Sequence, residues 1–447
     1  MDLQTELDLG NQCYINKNYE QAIIHYDKLL AVYSDNFIIC HNKGLSLLKL
    51  DRFDEAIPYL QLAMNNGYAE SWLAYGSILR TKGSYKEAMT AFANAFLLEN
   101  ENSAAYSNYG NSLREFGKPN IAIPFFQLAT QLNPSDMTAR LNLSVAHLMN
   151  GDLLNGWKYY DARWFYESDI SFKPILSGIE YDGTQDIKDK IVFVYVEQGL
   201  GDCVQFGRYL TLLQNQGAHI VFLCRKPLAR FFRYNYPNIK IYIETESDLT
   251  NLQYHYHVPL MELPKCFNTT IDTIPSVNYS VGDDIINYWH KRLGPTNKKR
   301  IGIVWSSNRN NFITRFKNIN LETLLKLKSD NIELISLEYD VSPEQTKLLQ
   351  DNGVIVYGNE LGDFYSVAGL MKNLDLVISI DTATVHLSAS IGVHTWTLLS
   401  DYACDWRWFI NRDDSPFYSL MKLYRQKGND WDGLIEHVKK DLKILDK

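Results

Sequence analysis

The chain has 447 residues, enough for about three domains, and its 46% hydrophobic and 13% aromatic content excludes wholesale disorder. The formal charge of -8 is spread evenly, with 13 basic and 17 acidic side chains in residues 1–165 and 31 and 35 in the rest, so neither part is built for nucleic acid or an anionic membrane. The six cysteines form no CxxC pair, the N-terminus MDLQTELDLG is acidic, and no apolar run approaches the roughly 18 residues of a membrane span, which together predict a cytoplasmic chain without zinc ribbon, disulfide framework or transmembrane segment.

The first third repeats. Gly10, Gly44, Gly76, Gly110 and Ser144 are 34, 32, 34 and 34 residues apart, and each is followed 12 residues later by Ala22, Ala56, Ala88, Ala122 or Gly156. Tyr26, Leu60, Phe92, Phe126 and Tyr160 come four residues further on. Small residues at these places let two helices cross closely, and the aromatic or leucine is expected to fill the gap to the next pair. With Pro134 in the fourth unit, residues 3–165 resemble the tetratricopeptide repeat. That resemblance implies a concave surface for a peptide or protein; the plainer alternative is an array that dimerises the chain or props up its neighbour. The fifth unit carries Gly156, Trp157, Tyr160, Arg163 and Trp164, extra aromatics expected to dock the array onto the next part of the chain.

After a polar connector with Pro174, Gly178 and Gly183, the apolar run Ile191 to Val196 reads as a buried strand. It is followed by Glu197-Gln198-Gly199-Leu200-Gly201-Asp202 and a helix expected over 203–216. Two glycines between strand and helix permit a sharp turn and leave room for a ligand, with Asp202 at the helix start facing the crevice. The loop is not GxGxxG, so dinucleotide binding has little support. Strands are expected at 219–224, 239–243 and 254–258, in a small parallel sheet. His255 and His257 share one face of the last, where surface or packing roles outweigh metal binding for want of a third ligand.

A linker helix over 288–293 and the basic Asn297-Lys298-Lys299-Arg300 lead into the strand Ile301 to Trp305. Next come Ser306-Ser307-Asn308 and a polar loop with Arg309, Arg315 and Lys317, hydroxyls and cations suited to phosphate oxygens, before a helix starting near Asn320. Further strands are expected at 332–337, 354–357 and 374–380. The last stops at Asp381, placed as the N-cap of a helix over 382–391 that Gly392 ends. The N–H groups of Thr382, Ala383 and Thr384 would then face the carboxyl edge of the sheet, where the helix dipole favours an anion. The alternative is that Asp381 only caps. Trp406, Trp408 and Phe409 offer a sugar-stacking surface or, more commonly, core or an interdomain seam, with Arg407 or Arg412 paired to acidic neighbours. A closing helix is expected over 431–445.

Four words in order, EQGLGD with QFGRYL (197–210), HVPLMELP (257–264), DTATVHL (381–387) and DWRWFINRDDSPFY (405–418), make residues 170–447 resemble the catalytic region of bacterial tetratricopeptide-repeat proteins with a glycosyltransferase domain similar to the ADP-heptose:lipopolysaccharide heptosyltransferases. The resemblance implies an α + α/β chain: a repeat solenoid over 1–168, then two Rossmann-like lobes in the GT-B arrangement, 169–282 toward the acceptor and 283–447 toward the nucleotide-sugar donor. It implies a metal-independent, inverting transferase with no cofactor, whose acceptor is a protein, peptide or glycan presented by the array. Asp202 would be the general base beside the glycine loop of Gln198, Gly199 and Gly201. Ser306, Ser307, Asn308, Arg315 and Lys317 would meet the diphosphate, and Asp381, Thr382 and Ala383, with His386 nearby, the donor. One departure stands out: Ser306-Ser307-Asn308 replaces the glycine-containing turn expected after the tryptophan. The chemistry agrees, since a carboxylate can take the acceptor proton, and cations and helix N–H groups can stabilise the leaving group. Two rivals are a non-catalytic binding scaffold with an inert sugar-nucleotide fold, and a glycoside hydrolase using Asp202 and Asp381, which needs carboxyl groups about 5–10 Å apart across one bond.

Overall fold

The computed structural model describes residues 3–165, 174, 176–307, 314–402 and 404–445. Two compact units divide the chain, Met1–Asn150 and Gly151–Lys447. Among the described residues no helix is long and apolar enough to cross a membrane.

The first unit is a run of antiparallel helix pairs: Leu3–Ile15 with Tyr19–Leu30, Phe37–Lys49 with Phe53–Asn65, Ala69–Thr81 with Tyr85–Leu98, and Ser103–Glu115 with Pro119–Leu132, followed by Met137–Met149. The glycine of each first helix sits directly under the large residue of the second helix. A Cβ on Gly10, Gly44, Gly76 or Gly110 would lie 2.7, 2.7, 2.5 or 2.9 Å from Tyr26, Leu60, Phe92 or Phe126. The large residue therefore closes its own pair and, as the spacing leads one to expect, also packs toward the next: Tyr26 shares a buried cluster with Ile39, and Leu60 one with Ala74 and Ile78. The turn inside each pair also recurs: Lys17, Asp51, Gly83 and Gly117 all have positive φ, between 56° and 79°. Asn36, Asn102 and Asp136 cap the first helices of their units by accepting backbone N–H bonds. Gly76→Ala is expected to overpack the buried Phe92 and destabilise the array by about 1–3 kcal/mol, read as a lower urea midpoint of helical circular dichroism.

The second unit opens with the helix Leu153–Tyr159 and the 3-10 turn Tyr160–Phe165. The packing boundary falls after Asn150, whereas the resemblance carries the solenoid to 168. The cause is the aromatic content of this segment: Trp157 meets Trp406 and Phe206 edge-on at 5.2 and 6.3 Å, and Tyr160 meets Trp406 at 6.2 Å. These are the aromatics expected to dock, and they pack on the α/β part of the chain.

That part holds two sheets. The first has the strand order Ile179–Glu180, Tyr256–Pro259, Ile191–Tyr195, His219–Cys224, Lys240–Ile243, all parallel. The second runs Asp414–Ser415, Tyr418–Arg425, Thr395–Leu399, Leu376–Ile380, Lys299–Val304, Ile332–Ser336, Ile355–Val356, parallel except for the first pair. Near-continuous apolar runs make the central strands because parallel sheets are covered on both faces; every residue of Leu376–Ile380 is buried. Helix Leu200–Phe206, at the carboxyl end of Ile191–Tyr195, packs on helix Ala383–Ser390, at the carboxyl end of Leu376–Ile380. The two sheets therefore face each other end to end, the GT-B arrangement. Gly282 N donates to Tyr365 Oη (3.1 Å) and Tyr279 N to Ser390 O (2.8 Å), tying the crossing segment to the second lobe. The helix after the first sheet is Asp283–Leu293, longer than the 288–293 expected. Tyr418–Arg425 carries no strand signal in the sequence because Lys422 and Arg425 interrupt its apolar residues.

Candidate functional site

The glycine loop does two jobs. Gly199 is the N-cap of helix Leu200–Phe206, so the helix begins three residues before the expected Cys203 and Asp202 lies inside its first turn. There Asp202 Oδ2 accepts the Gly199 N–H at 2.7 Å. Gly201 faces the other lobe: a Cβ there would lie 2.8 Å from His386 Cδ2 and 3.3 Å from Ala383 Cα. The space expected for a ligand beside this glycine is taken by the start of the opposing helix. Gln198 O accepts from Arg225 Nε at 3.0 Å, which holds the loop from its own lobe.

Opposite stands the loop 381–383. Thr382, extended at φ −138°, is the N-cap of Ala383–Ser390, and its side chain makes no capping bond to the helix. Asp381 is not the cap that its position suggests: its carboxylate turns instead to Lys317 Nζ, 2.6 Å away. Burial opposes the Lys317 charge, and the carboxylates of Asp381 and Asp405 override it, so the ammonium is held above its usual range. His386 is buried. Burial first, then the charge of Arg407, pushes its imidazole down to about 3. It is therefore a neutral ring, stacked on Trp408 at 5.3 Å and hydrogen-bonded through Nδ1 to Tyr418 Oη at 3.0 Å.

Arg407 joins the two walls. Its guanidinium pairs with Asp202 of the first lobe and donates to Gln205 Oε1 at 2.8 Å, while Nη1 meets both carboxylate oxygens of Asp405 at 2.9 and 3.1 Å. It lies over the rings of Trp406 and Phe206, 4.4 and 5.6 Å from their centroids. Burial would raise the Asp405 carboxyl, but Arg407 and Lys317 hold it below the usual carboxylate range. Asp202, Arg407, Asp405, Lys317 and Asp381 thus form a row of alternating charge across the seam. Arg208 adds a second pin from the first lobe, donating to the carbonyls of Pro275 and Phe417 at 3.0 Å each.

The turn after Lys299–Val304 is organised from within. Buried Glu338 accepts from the amides of Trp305 and Ser306 at 3.2 and 2.8 Å and from the Ser306 hydroxyl at 3.0 Å, and Asn318 Oδ1 accepts the Ser307 amide at 2.9 Å. A buried carboxylate needs such donors, so the amides of Ser306 and Ser307 are engaged inside the lobe. Asn308 lies outside the described residues, as does the side chain of Arg315.

The aromatic word resolves as seam and core: Trp406, Trp408 and Phe409 are all buried, and Arg412 pairs with Asp414 at 2.7 Å. His257 is buried in its strand, whereas His255 uses Nδ1 to accept the Ile191 N–H at 3.0 Å. Two further groups line this seam: Arg407, whose expected pairing with an acidic neighbour is met by Asp405, and Arg163, which no sequence signal marked for such a role. Arg407 sits in a recognised word, but its partners 202 and 405 are 205 and 2 residues away. Arg163, on the 3-10 turn after the last repeat helix, reaches Glu262 Oε1 at 2.7 Å and Glu197 Oε1 at 3.0 Å, and so holds the residue just before the glycine loop.

Residues 41–106 match the family model described as tetratricopeptide repeat. The chain is 23% identical over 457 residues to Protein FlbA of Caulobacter vibrioides, an alignment covering 93% of this chain and 74% of that one. Among solved structures, a glycosyl transferase family 9 protein of Veillonella parvula is similar over 58% of this chain and 91% of its own, with 13% identity and a TM-score of 0.42. MamA is similar over 36% of this chain and 92% of its own, with 20% identity and a TM-score of 0.31. The repeat match, the 34-residue glycine spacing and the helix pairs agree that the chain begins with a tetratricopeptide-repeat array, followed by two α/β lobes with parallel sheets.

Proposed function

We propose that the chain is a metal-independent, inverting glycosyltransferase that moves a sugar from a nucleotide-sugar donor to a hydroxyl of a protein, peptide or glycan acceptor recruited by the repeat array. One observation carries the reading: at the facing carboxyl ends of the two sheets, a carboxylate of the first lobe, Asp202, meets a cluster from the second that contains Arg407, Lys317 and the start of helix Ala383–Ser390. Open α/β sheets bind ligands at this edge. In such a transfer the acceptor hydroxyl loses its proton to Asp202 while its oxygen forms the new glycosidic bond. The bond from the sugar to the diphosphate breaks, and its electron pair leaves with the diphosphate. Lys317 and Arg407 supply countercharge to that leaving group; an oriented donor in a site closed to water is worth about 3 kcal/mol. The repeats support acceptor recruitment, because arrays of this kind present extended protein-binding surfaces.

Calorimetry against UDP-, GDP-, ADP- and CMP-sugars tests the donor half, and binding of at least one is expected. Mass spectrometry of acceptors co-expressed with the protein tests transfer, read as the mass of one added sugar. A second reading, a binding scaffold with an inert sugar-nucleotide fold, draws on the internal engagement of the Ser306 and Ser307 amides. Failure to bind any of the four sugar nucleotides would select it and reject the transferase.

A further inference from the structure

The proposed base is not free in this form of the molecule. One carboxylate oxygen of Asp202 takes the Gly199 N–H and the other takes Arg407. An oxygen held by a guanidinium in a buried seam is a poor proton acceptor, since charge-assisted bonds of this kind are the strong ones. The Gly199 bond is local to the loop and survives any movement of the lobes. The Arg407 bond joins the lobes and does not. Arg407 also has an anchor on its own side, because Asp405, two residues away, holds Nη1 through both oxygens. It can therefore release Asp202 without becoming an unpaired buried charge.

The walls leave little space for a ligand while that bond stands. Gly201 touches the Ala383 backbone and His386, and even a methyl group would collide with them. Asp202 and Gly201 lie on one side of this contact and Arg407, His386 and Ala383 on the other, so a parting of the two sides there draws Arg407 away from Asp202.

Resting on the transferase reading, and going beyond it, we infer that Arg407 is an exchange residue: it holds Asp202 while the Gly201 contact is closed and passes to the diphosphate of an incoming nucleotide, freeing the carboxylate to take the acceptor proton. Donor binding then switches on the base. The acceptor hydroxyl meets an active carboxylate only when a diphosphate is already in place, so the donor is not left to water while the site lacks an acceptor.

Inorganic pyrophosphate is the probe, with affinity measured by calorimetry on the full chain and folding checked by thermal melting. Asp202→Asn keeps an oxygen for the Gly199 bond and removes the anion that competes for Arg407; it is expected to bind pyrophosphate at least about threefold more tightly than wild type. Asp202→Asn/Arg407→Gln removes one charge of each sign, so the remaining Asp405 and Lys317 still balance, and it is expected to bind about tenfold more weakly than wild type. If the gain in Asp202→Asn came only from deleting a negative charge, the double variant, whose net charge equals that of wild type, would bind as wild type does, and the exchange would be refuted. An unchanged affinity in Asp202→Asn would refute it too. Lys317→Met separates the two layers: wild-type binding that this variant abolishes keeps the donor site standing even when the exchange fails. Wild type that binds neither pyrophosphate nor any sugar nucleotide removes the transferase reading, and the exchange with it.

Discussion

Asp202→Asn is expected to slow sugar transfer by about 10²–10⁴, the usual worth of a positioned general base, with no loss of donor affinity. The substitution is close to isosteric, and its oxygen can still accept the Gly199 N–H that Asp202 takes at 2.7 Å, so the glycine loop stays formed. What goes is the capacity to accept a proton. Initial rates of labelled sugar incorporation, at saturating donor and acceptor, measure the effect; a variant turning over at the wild-type rate would show that another group takes the proton. Coupled with the pyrophosphate measurement, the expectation is unusual for an active-site variant, because binding of the anion improves while turnover collapses. A residue important only for folding would lose both.

Arg163→Met is expected to destabilise the second unit by about 3–5 kcal/mol, the cost of removing one partner from a buried ion pair. Its guanidinium is shared by two buried carboxylates, at 2.7 Å from Glu262 and 3.0 Å from Glu197, and also donates to Tyr160 O at 3.0 Å. A second cation, Lys265, stands 3.8 Å from Glu262. Burial pushes the Glu197 carboxyl up to about 7 from its ordinary 4.5, against the opposing charge of Arg163. The folded chain thus holds this proton more tightly than the unfolded one, so the stability it contributes is full below about 4.5 and is lost as pH rises through about 7. Glu197→Gln should therefore flatten the fall in stability between these values, and Arg163→Met/Glu197→Gln should recover roughly half of the single variant's loss. Urea unfolding followed by tryptophan fluorescence measures all three. A loss below about 1 kcal/mol in Arg163→Met would mean that the network is dispensable.

The position of Arg163 also bears on how the chain can be cut. The spacing of small residues runs on to Gly156 and Tyr160, and by that measure the fifth unit belongs to the array. In three dimensions its second helix packs on Trp406 and Phe206, and the turn after it sends Arg163 into the first lobe. Fragments of the α/β part that begin at 169 would lack these residues.

Much of the fold is legible along the chain itself. A 34-residue period is a local property: each glycine must lie under the large residue 16 positions later, as Gly76 lies under Phe92, and no distant contact can change that. The buried strands are legible for a similar reason, since a parallel strand covered on both faces reads as an unbroken apolar run, and the closing helix is found at its expected bounds, 431–445. The locations of Asp202, in the first helical turn beyond a strand, and of Asp381, at a strand end, come from the same runs. What those residues bond to does not. Asp381 reads as a cap because Asp before a helix usually is one, yet Lys317 draws its carboxylate away and Thr382 takes the cap position.

The repeat array, the two sheets and the residues brought to their edges were set by local pattern, because periodicity and apolar runs act between neighbours along the chain. Three-dimensional packing settled the rest: Gly201 yields its space to a helix, Arg407 rather than solvent faces Asp202, and the last repeat helix packs with the lobes. Those are pairings across up to 205 residues. They depend on which buried charge finds which partner once the lobes close, and no local arrangement of residues records that choice.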